Sequence, residues 1–146
     1  ERFKSDVRSS ALVELVDLPQ TILEAVGLEE DAGNLPMSMQ GKSLVPILEG
    51  SADPTVHKPY VTAEYYDAVD LPQGSHGTMY FDGHYKSVLY HDVDVCEMYD
   101  LEEDPGEFNN LFGRPEFVEK QAELLRLHCN ALMTTVDPGI KRTGSY

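Results

Sequence analysis

The sequence predicts an α+β fold: a small antiparallel sheet of about four strands, a long C-terminal helix packed on one face, and short N-terminal helices. Three observations carry this. Asp82-Gly83 stands between two runs rich in aromatic and β-branched residues, the strongest hairpin signal in the chain. Pro115 opens a stretch in which Phe117, Leu124, Leu125, His128, Ala131 and Leu132 recur at helical spacing. Upstream, two short segments carry helix start and stop residues.

In chain order, residues 11–16 (ALVELV) read as a short buried strand or as the approach to a helix. Asp17 is expected to cap that helix. Gln20 completes a D-x-x-Q box, and Pro19 is tolerated because first-turn N–H groups have no intrahelical partner. Ile22, Leu23 and Val26 form its apolar stripe, and Gly27 closes it. Residues 28–41 read as a polar loop. A second helix is expected with Ser43 as its cap and Gly50 as its stop, limited by Pro46 to about two turns. Residues 51–59 are linker-like.

Val61–Tyr66 is the first strand candidate, and residues 67–77 (DAVDLPQGSHG) read as a long turn-rich loop. Residues 79–81 and 84–90 then form a hairpin, for which Asp-Gly supplies the positive φ angles of a type I′ turn. Residues 96–101 form the next strand. An acidic turn region follows at 102–110, and the final helix is expected from Pro115 to near Thr134, with residues 140–146 an extended tail. The boundary falls at the linker, which separates residues 1–59 from residues 60–146.

Composition narrows the function classes. The chain has 146 residues, 41% of them hydrophobic, which is enough for one globular core. With 26 acidic against 11 basic side chains the formal charge is −15, and such a field repels nucleic-acid backbones. No apolar run reaches the roughly 18 residues of a membrane span. The first ten residues are charged rather than signal-like and start in mid-pattern, so a signal on a longer parent, and with it the compartment, would be invisible here. Cys96 and Cys129 form no C-x-x-C pair; spacing alone leaves their pairing open, with two ordinary thiols the favoured reading.

Motifs for chemistry are scarce. Asp100, Glu102 and Asp104 alternate as in a calcium loop, but Pro105 and Leu111 stand where an EF-hand needs glycine and a bidentate glutamate, so an acid-rich turn is the reading adopted. His57, His76, His84, His91 and His128 show no metal-ligand spacing; His84 and His128 are expected to be structural. His76, inside the polar GSHG segment, is a candidate substrate contact. There is no G-x-S-x-G elbow, and neither cysteine starts a C-x-P-x-R run.

Four stretches nonetheless carry a family resemblance. LVELVDLPQTILEAVGL resembles the strand-to-helix segment of the sulfatase family, within the alkaline-phosphatase-like superfamily, although Pro19 stands before Gln20 rather than directly before Thr21. MQGKSLVPILEG resembles the G-x-S-L-x-P-x-L-x-G stretch that follows. FDGHYKSVLYHDVDVCEMYDLEEDPGEFNNL resembles the family's C-terminal signature. The final helix and TTVDPGIKRTGSY resemble a bacterial subgroup related to sulfoglucosamine sulfohydrolases.

The resemblance implies that residues 1–59 close the catalytic-domain region and that residues 60–146 form the C-terminal subdomain. It implies a parent enzyme with one calcium ion and a formylglycine nucleophile, where metal and cationic side chains stabilise the sulfate oxygens. None of those motifs falls in this sequence, so no catalytic or metal residue is carried over and the chain is expected to be inactive alone. The expected partners are the missing N-terminal catalytic domain and a sulfated small molecule or sugar. An oligomer through the face exposed by truncation is a further expectation. Many relatives carry arginine where this chain has Phe81, which makes Phe81 a candidate determinant of substrate preference. Sulfate is an anion and the chain carries −15, so local cations are required, and Lys86, Lys141 and Arg142 are the candidates. A phosphonate or phosphate monoester hydrolase of the same superfamily, and a freestanding binding or oligomerisation module, are the competing readings.

Overall fold

The computed structural model describes residues 2–28, 39–66 and 76–135. Two short helices, α1 (Asp17–Ala25) and α2 (Val45–Glu49), precede four strands: β1 (Val61–Tyr66), β2 (His76–Phe81), β3 (Tyr85–His91) and β4 (Val95–Asp100). A 3-10 turn at Pro115–Phe117 then leads into α3 (Val118–Thr135). The strands form one antiparallel sheet in sequential order, β1-β2-β3-β4. The α+β class, the sheet and the long terminal helix are as expected.

Register decides which residues meet α3. Tyr80 pairs with Ser87 and Ser87 with Met98, so these three stand in a row on one face, and all are buried. Leu124, His128 and Ala131, spaced four and three residues apart on α3, cover that row and are themselves at most 1% exposed. Leu111, Tyr60, Tyr85, Phe112 and Phe117 complete the core. The outer edge of β4 is closed by residues 110–111. Asn110 accepts from Met98 N–H (3.0 Å) and donates to the Cys96 carbonyl (3.0 Å), while Leu111 N–H reaches the Met98 carbonyl (2.8 Å).

The hairpin turn differs from expectation by one residue. Asp82 N–H bonds to the Tyr85 carbonyl, so Gly83 and His84 are the central pair, and of the two only Gly83 has positive φ (+96°). Glycine first is the type II′ pattern, not type I′. The Asp82 carboxylate fixes the turn by accepting from the N–H groups of His84 (2.9 Å) and Tyr85 (2.7 Å).

The N-terminal arm departs further. Asp17 is the first helical residue rather than the cap, and α1 has no side-chain cap bond. Its buried side is polar, Asp17 and Thr21, whereas Ile22 and Val26 of the expected stripe are 61% and 63% exposed. Residues 11–16 form no strand, and Leu15 is 84% exposed. Periodicity marks a segment as amphipathic but does not say whether a partner stands on its apolar side. In α2, Leu44 occupies the cap position. The Ser43 hydroxyl still accepts from Val45 N–H (3.2 Å), and Gly50, at φ +73°, ends the helix as expected.

Candidate functional site

A polar clasp built around Asp17 ties the arm to the sheet. Asp17 is fully buried, and its two carboxylate oxygens accept from the N–H groups of Glu14 and Lys42 (2.8 Å each) and from Lys58 Nζ (2.6 Å). His57 Nε2 lies 3.5 Å away without hydrogen-bond geometry. Burial pushes the Asp17 carboxyl up, but the Lys58 ammonium and the two backbone donors outweigh it and hold the group below its ordinary range. Burial likewise disfavours the charged Lys58, yet its bonds to Asp17 and Glu14 leave its pKa raised. Glu14 extends the clasp to β1, accepting from Thr62 N–H (2.7 Å) and from Lys58. Thr21 adds a second stitch, donating to the Asp17 carbonyl (2.7 Å) and accepting from Leu44 N–H (2.9 Å). Gly41 permits all this: a Cβ there would stand 1.8 Å from the Val16 carbonyl oxygen.

Of the expected substrate contacts, the structure brings two together. Phe81 and Lys86 are cross-strand partners at the hairpin end, on the sheet face opposite α3. Tyr99 continues the row as the partner of Lys86. Beside them the same face forms a recess of about 520 Å³, lined by Ala63, Tyr65, Gly77, Met79, Val88 and Tyr90 among others. Lys86 is committed: its Nζ lies 2.6 Å from Glu107, whose backbone adopts the left-handed φ of 57°. His76 is not in a loop but is the first residue of β2, because pairing with β1 and β3 extends that strand back to it. It lies five residues from Phe81, about 16 Å along the strand, and on the other face. Its ring packs 4.8 Å from Tyr66, and its Nδ1 is 3.9 Å from Asp92. Lys141 and Arg142 lie outside the described residues.

The acid-rich segment after β4 is a turn. Asp100 accepts from the N–H groups of Glu102 and Glu103 (3.1 Å each) and meets His84 Nε2 at 3.0 Å; Asp104 accepts from Asn109 N–H (2.8 Å). Burial would raise the Asp100 carboxyl, but the Glu103 amide, Tyr85 and His84 together lower it. Cys96 and Cys129 are both free thiols. Among the described residues no three His, Cys, Asp or Glu side chains converge on a metal-sized point. No chemical step through the calcium ion or the formylglycine that the resemblance implies is assigned to the described residues.

Sequence reasoning missed two groupings: the clasp, and a buried Ser87–His128 pair (Oγ to Nδ1, 2.9 Å) between sheet and helix. Both join residues more than 20 positions apart, beyond the reach of local patterns. The clasp had one signal, an acid and a threonine on the same side of α1.

A meander of four strands, one covering helix and an ion-paired helical arm define an α+β domain. The family model described as N-sulphoglucosamine sulphohydrolase, C-terminal, matches residues 1–132. N-acetylglucosamine-6-O-sulfatase of Bacteroides thetaiotaomicron is 35% identical over 129 residues, covering 85% of this chain and 22% of that protein. Arylsulfatase K of Xenopus laevis is 32% identical over 126 residues, covering 80% of this chain and 22% of that one. Among solved structures, the phosphonate monoester hydrolase SpPMH from Silicibacter pomeroyi superposes with a TM-score of 0.71 at 26% identity, over 90% of this chain and 27% of that chain. The chain belongs to the sulfatase family, as its N-sulphoglucosamine sulphohydrolase-type C-terminal region. It spans about a fifth of the length of the curated relatives it matches.

Proposed function

We propose that this chain forms one wall of the active-site cleft in a sulfuric ester hydrolase acting on sulfated carbohydrate. In this reading a catalytic domain outside the chain supplies the nucleophile and the metal ligands, and packs against it. The family match over residues 1–132, in a chain a fifth as long as its curated relatives, carries the proposal. Relatives whose names specify sulfated sugars support the substrate class. The Phe81–Lys86–Tyr99 row is the part of the wall assigned to substrate selection. An apolar ring at position 81 favours the apolar faces of a sugar over a second anionic group, while a lysine neutralised by Glu107 adds little attraction for one.

The test is Phe81→Arg in the intact enzyme, assayed on a panel of sulfated sugars. The relative kcat/KM values should shift toward substrates with an additional anionic group; unchanged ratios would remove Phe81 from the cleft. The superposition on a phosphonate monoester hydrolase favours a second reading, hydrolysis of phosphonate or phosphate monoesters. The same panel separates the two when it includes those esters, since the preferred leaving oxyanion follows from the catalytic domain.

A further inference from the structure

Outside the clasp, the most deeply buried polar pair among the described residues is Ser87–His128. His128 is fully buried and Ser87 is 2% exposed. The imidazole lies between Leu124 and Ala131 on its own helix and stacks on Tyr80 with ring centroids 6.0 Å apart. Nδ1 meets the Ser87 hydroxyl at 2.9 Å, and Nε2 is buried with no partner among the described residues. One nitrogen satisfied and one orphaned is tolerable for a neutral ring. Protonated, both nitrogens are donors. The Ser87 oxygen can accept from one, and the other would hold a charge in an apolar layer.

We propose that His128 makes α3 an acid-released element: the helix stays on the sheet while the imidazole is neutral and lifts from it when the ring takes up a proton. Among the described residues, no group bonds to the second ring nitrogen, and Asp100, the carboxylate of β4 on this face, is held by His84 and by the N–H groups of Glu102 and Glu103. From β3 the ring faces Ser87 and His91, the latter held by Thr78 of β2 (3.0 Å), and a protonated His91 only opposes a second cation. From β2 it faces the Tyr80 phenol, and Cys96 of β4 lies on the same sheet face; burial raises the pKa of both, which keeps them neutral. Glu64 of β1 shares that face but is exposed and serves Thr135 at the end of α3 (3.3 Å). On α3 itself, Lys120 and Glu123 lie on earlier turns and pair with each other, and Arg126, two residues before His128, stands about 200° around the helix axis from it.

Burial, with a smaller contribution from His91, lowers the His128 pKa from 6.5 to about 4. A base whose folded pKa is depressed binds its proton more tightly when the helix is open. The closed form therefore holds fully above pH 6.5 and loses ground as pH falls toward 4.

The experiment is hydrogen exchange of the peptides spanning 118–135 in the intact protein, corrected for the intrinsic pH dependence of exchange. Between pH 8 and pH 5, protection should fall by about 30-fold, the value set by pKa values of 6.5 open and about 4 closed. The double variant Ser87→Ala/His128→Leu, which removes both partners together, should lose less than about 3-fold. An equal loss in both proteins would overturn the proposal. A ring-proton NMR titration of the unsubstituted protein tests it without any variant: a His128 midpoint near 4 is expected, and a midpoint of 6 or above would overturn it.

Discussion

Lys58 Nζ lies 2.6 Å from Asp17 Oδ1, and Asp17 is wholly removed from solvent. This contact joins the start of the helical arm to the segment that enters the sheet; Lys42 N–H adds to Asp17, Glu14 adds to Lys58, and Thr62 N–H donates in turn to Glu14. Within the stretches that carry the family resemblance, Asp17, Thr21, Gly41 and Ser43 each have a mechanical reason to be what they are.

Asp17→Ala leaves two buried backbone donors without a partner and takes one of two carboxylates from Lys58, which keeps Glu14, and should cost about 3–5 kcal/mol in urea denaturation. The pH dependence has a definite sign. Asp17 has a depressed folded pKa, so the stability it contributes is present above its ordinary value of 3.8 and is lost as pH falls through the lower folded value. The Ala variant should therefore show a flatter acid limb than the unsubstituted protein.

Gly41→Ala should destabilise by about 3 kcal/mol or more, because the new methyl group would overlap the Val16 carbonyl and push Lys42 away from Asp17. Gly27→Ala is the control: its φ is +77° with open space around it, so it should cost only about 1 kcal/mol. Thermal melts of the two variants side by side check the ranking.

Glu107 neutralises Lys86 at 2.6 Å from a left-handed backbone position. If Lys86 contacts the sulfated substrate, Glu107→Gln frees that cation and should lower KM for anionic substrates several-fold in the intact enzyme, with little change in kcat. An unaltered KM places Lys86 away from the cleft. Stability should change by less than about 1 kcal/mol, as for other half-exposed pairs.

The sheet was legible in the sequence because each strand advertises itself locally. Val61–Tyr66 is read to the residue, and α3 ends within one residue of expectation, since β-branched, aromatic and i, i+3, i+4 patterns need no knowledge of distant contacts. The role of Asp17 is hidden for the opposite reason. An acid at a helix start looks like a cap, and only the tertiary fold, which brings Lys42 and Lys58 to it, reveals another use. His76 reads as a loop residue because a Gly-Ser-rich neighbourhood masks a strand start that only pairing with β1 and β3 reveals. The candidate site was half legible. Phe81 and Lys86 fall together because a hairpin makes near neighbours into partners, whereas His76 belongs to the far end of the same strand and its other face.

In the proposed division of labour, sulfate-ester chemistry draws its nucleophile and metal from a catalytic domain outside this chain. The most direct test is turnover of a chromogenic aryl sulfate by the purified 146-residue chain, with and without added calcium, after hydrogen exchange has shown the sheet and α3 to be protected. No turnover above buffer is predicted under either condition. Calcium-dependent turnover by a clean preparation would contradict the account.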